Sequence, residues 1–374
     1  MNFETYPFEK LNNLLKNIEP NTDYEALSLT IGEPQFKTPK FILDELNNHA
    51  MLLNKYPKTS GESILRNAMR TYLKNRFDLK LEDKQIIPTF GTREVLFNFP
   101  QFLLHDIKHS VMAYPNPFYQ IYEGAAKATN SEVIYLNLTA ENNFLPQIDE
   151  KALSHCDFVI INTPHNPTAS TMLLDELKKW VNLALKYEFI LLNDECYIDL
   201  YLDAPLPSLL NASIEVGNRE FKNILVINSI SKRSSAPGLR SGFIAGDAEI
   251  LKAYMTYRTY VGCASPLPLQ HAAAVAWADQ EHVDAFRAKY IKNFEIAKEI
   301  LDINPPLSTF YIWLPVEDEI AFTTRLYQEY NLKVIPGSFL GREGQGQGFV
   351  RLALVYEENK TREALKRIKM LINA

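Results

Sequence analysis

The chain has 374 residues, 46% hydrophobic and 22% charged, with a formal net charge of -6. That length can bury a large core and hold more than one domain, while the mild acidity gives no general pull towards nucleic acid or an anionic membrane surface. No apolar run approaches a membrane span, and Cys156, Cys196 and Cys263 are too few and too scattered for a disulfide framework or a metal site.

The first twenty residues carry Glu4, Glu9 and Lys10 and lack the long apolar centre of a secretory leader, so a cytoplasmic globular protein is expected. Residues 1–30 read as an arm and a short helix running into the apolar segment 26–31. After the turn Gly32-Glu33-Pro34, Thr38 and Pro39 read as the N-cap and first residue of a helix to about residue 53. A second helix after Gly61 places Ile64, Leu65, Ala68, Met69 and Tyr72 on one face.

From about residue 85, short apolar runs alternate with helical patterns such as Leu174–Tyr187. The runs are 85–90, 111–114, 133–136, 158–162, 189–193, 224–228 and 242–245. They predict an α/β domain over 41–280 around a mostly parallel seven-stranded sheet buried on both faces. Beyond residue 280 the order changes. A long charged helix (282–301), an alternating run (308–314), a helix (320–330), a turn (334–337), a strand (349–355) and a last amphipathic helix follow. These predict a smaller α+β domain, 281–374, completed by the arm of residues 1–40.

Polar groups gather just beyond the apolar runs, where open α/β sheets collect their ligands. The run 224–228 leads into Ser229-Ile-Ser-Lys232, and a Pro237-Gly238 turn delivers Arg240 eight residues after the lysine. An amine beside small hydroxyls and an arginine suits a phosphate-bearing aldehyde; a basic surface loop has the same composition. Asp194 ends another run, where an acid is costly unless it meets a cation or donors. A protonated ring nitrogen would serve, with Tyr197 reaching another edge of the ring; a solvated turn acid is the alternative.

Asn166 lies between Pro164 and Pro167, as a rigid amide donor or part of a plain turn. Gly91 and Thr92 open a helix whose free N–H groups would seat a phosphate. Phe118 and Tyr119 follow a Pro-rich strand end and either stack on a flat ring or simply pack. Arg351 sits inside the apolar run 349–355 and needs an anion, either a ligand carboxylate or a structural acid.

In this order the segments resemble the fold-type I pyridoxal-phosphate aminotransferases over roughly residues 28–355, and 29–39 and 55–61 look like segments of the same family. The resemblance implies pyridoxal 5'-phosphate as cofactor and no metal. It implies Lys232 as the Schiff-base lysine and proton shuttle, Asp194 as partner of the ring nitrogen, and Tyr197 and Asn166 as partners of the phenolic oxygen. Tyr119, with Phe118 as fallback, would stack on the ring. The phosphate would rest on Gly91, Thr92, Ser229 and Arg240, and on Tyr56 of a second subunit, hence a homodimer with shared sites. Arg351, backed by Gly32, would take the substrate carboxylate.

Lys232-Arg-Ser-Ser stands where many members carry an aromatic near the lysine. With the segment 117–126, it is similar to bacterial N-succinyldiaminopimelate aminotransferases. The expected reaction moves an amino group between N-succinyl-LL-2,6-diaminopimelate and 2-oxoglutarate in lysine biosynthesis, with small-molecule substrates. An aspartate or aromatic aminotransferase and a pyridoxal-phosphate C–S lyase share the same cofactor residues. A non-catalytic ligand sensor is disfavoured, because Lys232, Asp194 and Arg351 are all retained. Arg93 is expected to meet a distal carboxylate, or else to be solvated at the helix start or paired with Glu94 or another local acid; Lys58, Arg233 and Arg258 are the reserve candidates.

Overall fold

The computed structural model describes residues 3–374, so the first two residues of the expected arm lie outside the described residues. Strand β1 (Leu27–Ser28) belongs to a small pairing far from the main sheet in sequence. The next seven strands are the seven expected runs. They are β2 (Ile86–Thr89), β3 (Val111–Asn116), β4 (Glu132–Asn137), β5 (Phe158–Asn162), β6 (Ile190–Asp194), β7 (Ile224–Ser229) and β8 (Gly242–Gly246). They form one sheet in the order β2-β8-β7-β6-β5-β3-β4, parallel except for β8, which runs against both neighbours.

Alternate residues of each strand enter opposite core layers: Val159 and Ile161 of β5 one layer, Phe158 and Ile160 the other. Such strands have no polar face, which is why continuous apolar runs mark them. The strand directions also place the polar chemistry. Six strands present their carboxyl ends at one edge and β8 its amino end. Gly91, Asn166, Asp194, and Ser229 with Arg240 therefore converge there from four separate stretches of chain.

Three local expectations need correction. The helix after Thr38 runs Lys40–Asn48 with Pro39 at its N-cap, followed by a 3-10 turn, Ala50–Asn54. Thr38 does not cap it; its hydroxyl donates to Ser235 O at 2.8 Å. In the helix Ser63–Phe77, Leu65, Met69 and Tyr72 are buried, but Ile64 faces outwards. The expected turn at 334–337 is strand for half its length. β11 (Ile335–Pro336) follows β10 (Leu332–Lys333), and only then comes a 3-10 turn, Gly337–Phe339.

β9 (Tyr311–Pro315), β11 and β12 (Phe349–Ala353) form an antiparallel sheet, β11-β12-β9, while β1 pairs in parallel with β10. The helices Glu281–Leu301, Glu319–Tyr330 and Glu358–Ile372 complete this part. Phe294 and Ala297 of the first helix share a core with Ile312, Val350, Leu352 and Ile368, joined by Leu27 and Leu29 from the arm. The Asn293 amide ties that helix down, donating to Leu354 O at 3.2 Å and Tyr356 O at 2.8 Å. Among the described residues, no helix is long and apolar enough to cross a membrane.

Candidate active site

A cavity of about 480 Å³ opens at the edge where the strands end, between the large sheet and the β9–β12 sheet. Lys232 reaches it from a one-turn helix, Ile230–Arg233, that starts directly after β7. Its amine donates to the carbonyl of Gly32, and burial pushes the amine down to about 8. Gly32 has no room for a side chain, because the Tyr311 hydroxyl lies where a Cβ would project.

Asp194 is the last residue of β6 and is 5% exposed. Tyr122 donates to its Oδ2 at 3.0 Å and the Cys196 N–H to its Oδ1 at 3.2 Å. No cation lies within ion-pair distance of this carboxylate among the described residues, and burial raises its pKa. Glu195, one residue on, accepts from Ser208 Oγ and Leu209 N-H and is pushed up to about 7 by burial. It therefore caps a helix, while Asp194 alone faces the cavity.

Asn166 is held by its predecessor in the loop. Asn162 Oδ1 accepts the Asn166 N–H at 2.9 Å, and Asn162 Nδ2 donates to Asp194 O at 2.7 Å. The Asn166 Oδ1 in turn accepts from Arg351 at 2.7 Å, which leaves its amide hydrogens for a ligand. Arg351 is 4% exposed, donates also to Thr30 O, and lies over the Tyr311 ring at 4.5 Å. Its Nε has no partner, and no carboxylate pairs with it among the described residues. The structural-acid explanation of Arg351 is thereby removed.

Gly91 caps the helix Thr92–Leu104 at φ 76°, with no side chain closing the helix start. A Cβ at Gly91 would collide with the Arg240 guanidinium. Only glycine allows both that left-handed backbone and this approach. Arg240 has backbone carbonyls for partners, Pro237 O at 2.8 Å and Phe90 O at 3.4 Å, and no acid. Thr92 and Ser229 sit either side of the Cys196 thiol, at 3.3 and 3.7 Å.

Tyr119 lines the cavity and its hydroxyl accepts from Arg93 Nε at 2.8 Å. Phe118 does not line the cavity, being packed beneath against Tyr114 and Tyr135. Arg93 is not paired with Glu94, whose carboxylate is taken by the buried Arg258 at 3.0 Å. The reserve candidates lie elsewhere: Lys58 is exposed beside Glu62, and Arg233 is locked onto Asp199 at 2.8 Å. Tyr197 lines the cavity with its hydroxyl 3.0 Å from that of Tyr311. Tyr56 does not line it; within one chain this side chain is fully exposed.

Several lining residues lie outside the sequence reading. Tyr6, Pro7 and Phe8 bring the arm across the mouth, and Cys196 and Tyr311 form part of the wall. Tyr122, which holds Asp194, carries no local signal beyond its place in an aromatic-rich segment. The groups present fit pyridoxal phosphate. An unpaired buried carboxylate suits a cationic ring nitrogen, a lysine with a lowered pKa suits a carbonyl carbon, and an open helix start beside Arg240 suits a phosphate.

Fold and site together define a fold-type I transferase acting on amino acids. The sequence matches the model of the aminotransferases of class I and II over residues 24–368, and the chain belongs to that family, whose members use pyridoxal phosphate. It is similar to the aminotransferase AspB of Helicobacter pylori, at 49% identity and a TM-score of 0.97 over 99% of each chain. An aminotransferase of Neisseria meningitidis is similar at 40% identity and a TM-score of 0.93, over 99% of this chain and 98% of the other. An LL-diaminopimelate aminotransferase of Dehalococcoides mccartyi is 29% identical over 362 residues, covering 92% of this chain and 90% of the relative.

Proposed function

We propose that this aminotransferase takes N-succinyl-LL-2,6-diaminopimelate and 2-oxoglutarate as its substrates, in lysine biosynthesis. The observation that carries the assignment is the set of cations in one cavity, Lys232, Arg93, Arg240 and Arg351, none with an acidic partner within ion-pair distance among the described residues. One anion on the cofactor and one α-carboxylate account for Arg240 and Arg351. That leaves Arg93 for an acid at the far end of the substrate, which both 2-oxoglutarate and a succinylated amine possess. The diaminopimelate skeleton is also the one named for the Dehalococcoides relative.

The residues then divide the work. Bound pyridoxal phosphate supplies a ring that withdraws electrons from the substrate's α-carbon. Asp194 keeps the ring nitrogen protonated, as an uncompensated buried carboxylate is suited to do. Asn166 and Tyr197 donate to the phenolic oxygen, Tyr119 covers one ring face, and Gly91, Thr92, Ser229 and Arg240 hold the phosphate. Arg351 fixes the α-carboxylate bidentately. Lys232 would hold the cofactor's carbonyl carbon and, as a free amine, would move the α-proton. Burial lowers its pKa towards working pH and so favours that basic form. Tyr56 reaches the phosphate of a second subunit; Met51, Leu53, Tyr56 and Tyr260 leave apolar surface exposed around that position, as a homodimer interface requires.

A donor panel with 2-oxoglutarate, reading glutamate formation, tests the substrate. Succinylated diaminopimelate should exceed free LL-diaminopimelate, aspartate, aromatic amino acids and cystathionine in kcat/KM by at least about tenfold, the weight of one hydrogen bond to a charged group. A faster rate with any of the others, or keto-acid release from cystathionine without 2-oxoglutarate, would overturn it.

A further inference from the structure

The turn that carries Lys232 is closed by Ser234, which is fully buried and whose N–H donates to Ile230 O at 3.0 Å. Its hydroxyl lies 2.8 Å from His282 Nε2, and His282 Nδ1 lies 2.5 Å from Asp279 Oδ1. Asp279 is 37% exposed, so the chain runs from water to a residue two places beyond Lys232. An acid orienting an imidazole that holds a serine hydroxyl is the arrangement of a hydrolytic triad. Here, however, the serine is fully buried and does not line the cavity that holds Lys232, so no substrate bound there can meet its hydroxyl.

Its partners suggest another use. Neutral His282 donates from Nδ1 to Asp279 and accepts the Ser234 O–H at Nε2. Protonated His282 donates from both nitrogens, and Ser234 must turn its hydrogen away, with no other acceptor near its hydroxyl among the described residues. Charged neighbours reach the imidazole from three elements. Arg233 comes from the lysine turn, Asp199 from the segment after β6, and Asp279 from the linker before the helix Glu281–Leu301. Phe41 and Phe286 close the remaining sides with uncharged rings. Burial, with Arg233 adding to it, lowers the His282 pKa below its usual value. The neutral imidazole is therefore favoured in the fold against the raising pull of Asp279 and Asp199, and the hold on Ser234 is complete above the usual histidine range and lost as pH falls through the lowered value.

We propose that His282, oriented by Asp279, is a positioning residue for transamination: it holds Ser234, and through it the turn that aims Lys232 into the cavity, and its protonation releases that hold. The inference rests on the reading of Lys232 as the cofactor-bearing lysine.

The test uses the holoenzyme with Ser234→Ala, His282→Gln and His282→Ala. Borohydride reduction and peptide mapping first locate the cofactor. Capture on Lys232 in every variant keeps the underlying reading intact; capture on another lysine overturns that reading and this inference with it. Ser234→Ala and His282→Ala should lower kcat about tenfold with KM within about twofold, as expected for a displaced reacting group. They should also shift the pH midpoint of the bound cofactor's absorbance by at least about half a unit. His282→Gln, whose amide oxygen can still accept from Ser234, should recover most of kcat but lose the acid limb of the rate profile attributed to His282. Variants that unfold at lower temperature yet keep wild-type kcat and absorbance midpoint would reduce the triad to a structural clasp and overturn the proposal.

Discussion

The two sides of the Lys232 turn treat their cations in opposite ways. On the cavity side, Arg240 and Arg351 have only carbonyls, an amide and aromatic faces for partners. On the far side, Asp199 accepts from Arg233 at 2.8 Å and Arg76 at 3.1 Å, and takes the Tyr72 hydroxyl as well. Arg233 further donates to Ala276 O and lies over the Tyr72 and Trp277 rings. A buried charge must meet an opposite charge or remain costly. The far side meets that demand within the chain; the cavity side leaves it to ligands. Pairing thus separates architecture from chemistry among residues of one type within one core.

The most severe way to break this contrast is to remove the amine itself. Lys232→Ala should fold normally by circular dichroism yet lose turnover on the order of 10⁴-fold, the upper range for a positioned proton-transfer group. Borohydride should then fix no cofactor to the chain, and retention of a tenth of the activity would contradict the assignment. Asp194→Asn is next, with a loss of roughly 10²–10⁴-fold, and Asp194→Glu should lose less; near-normal turnover in the Asn variant would show that the ring nitrogen needs no carboxylate.

The paired side should answer in stability instead. Asp199→Asn strands two buried guanidinium groups and should cost roughly 3–5 kcal/mol, read as a lower urea midpoint, while the folded fraction still captures cofactor on Lys232. Loss of capture at unchanged stability would erase the distinction drawn here. Arg93, exposed at the cavity mouth, should on change to Gln weaken 2-oxoglutarate and the succinylated donor by roughly 1.5–3 kcal/mol, the range for a hydrogen bond to a charged group, and spare alanine. Because Arg93 also holds the Tyr119 hydroxyl, equal weakening of all substrates would reduce it to a support for Tyr119. The smallest effect belongs to Tyr56→Phe, about 0.5–1.5 kcal/mol of cofactor affinity for one hydrogen bond. Mixing a more disruptive Tyr56 variant with Lys232→Ala chains should restore part of the activity, and no rescue despite proven subunit exchange would confine each site to one chain.

Much of this was legible in the sequence because buried parallel strands cannot hide. Phe158–Asn162 and the helix Leu174–Tyr187 keep their expected ends, and the other runs shift by a residue or two at one end or both. The helix Leu267–Ala278 left no such mark. It carries Ala272, Ala273, Ala274, Ala276 and Trp277 buried around much of its circumference, so there is no apolar stripe to read against a polar one. The cavity residues at strand ends were visible because each stands out against its apolar run. Tyr6 and Phe8 were not, since they reach the cavity by crossing from the far end of the chain, and nothing local encodes that crossing. Thr38 misled for a related reason: a distant carbonyl, Ser235 O, outcompetes the helix start for its hydroxyl.

The helix Glu281–Leu301 begins beside the Ser234–His282 contact and lies with its far half in the core that backs β12, the strand carrying Arg351. Its 21 residues make a rod of about 30 Å, so a tilt of about 2° at the His282 end swings the other end by about 1 Å. The helix thus joins the lysine turn to the core behind the strand of Arg351, and on the proposed reading the distance between those two groups depends on how this one rod is seated at both ends.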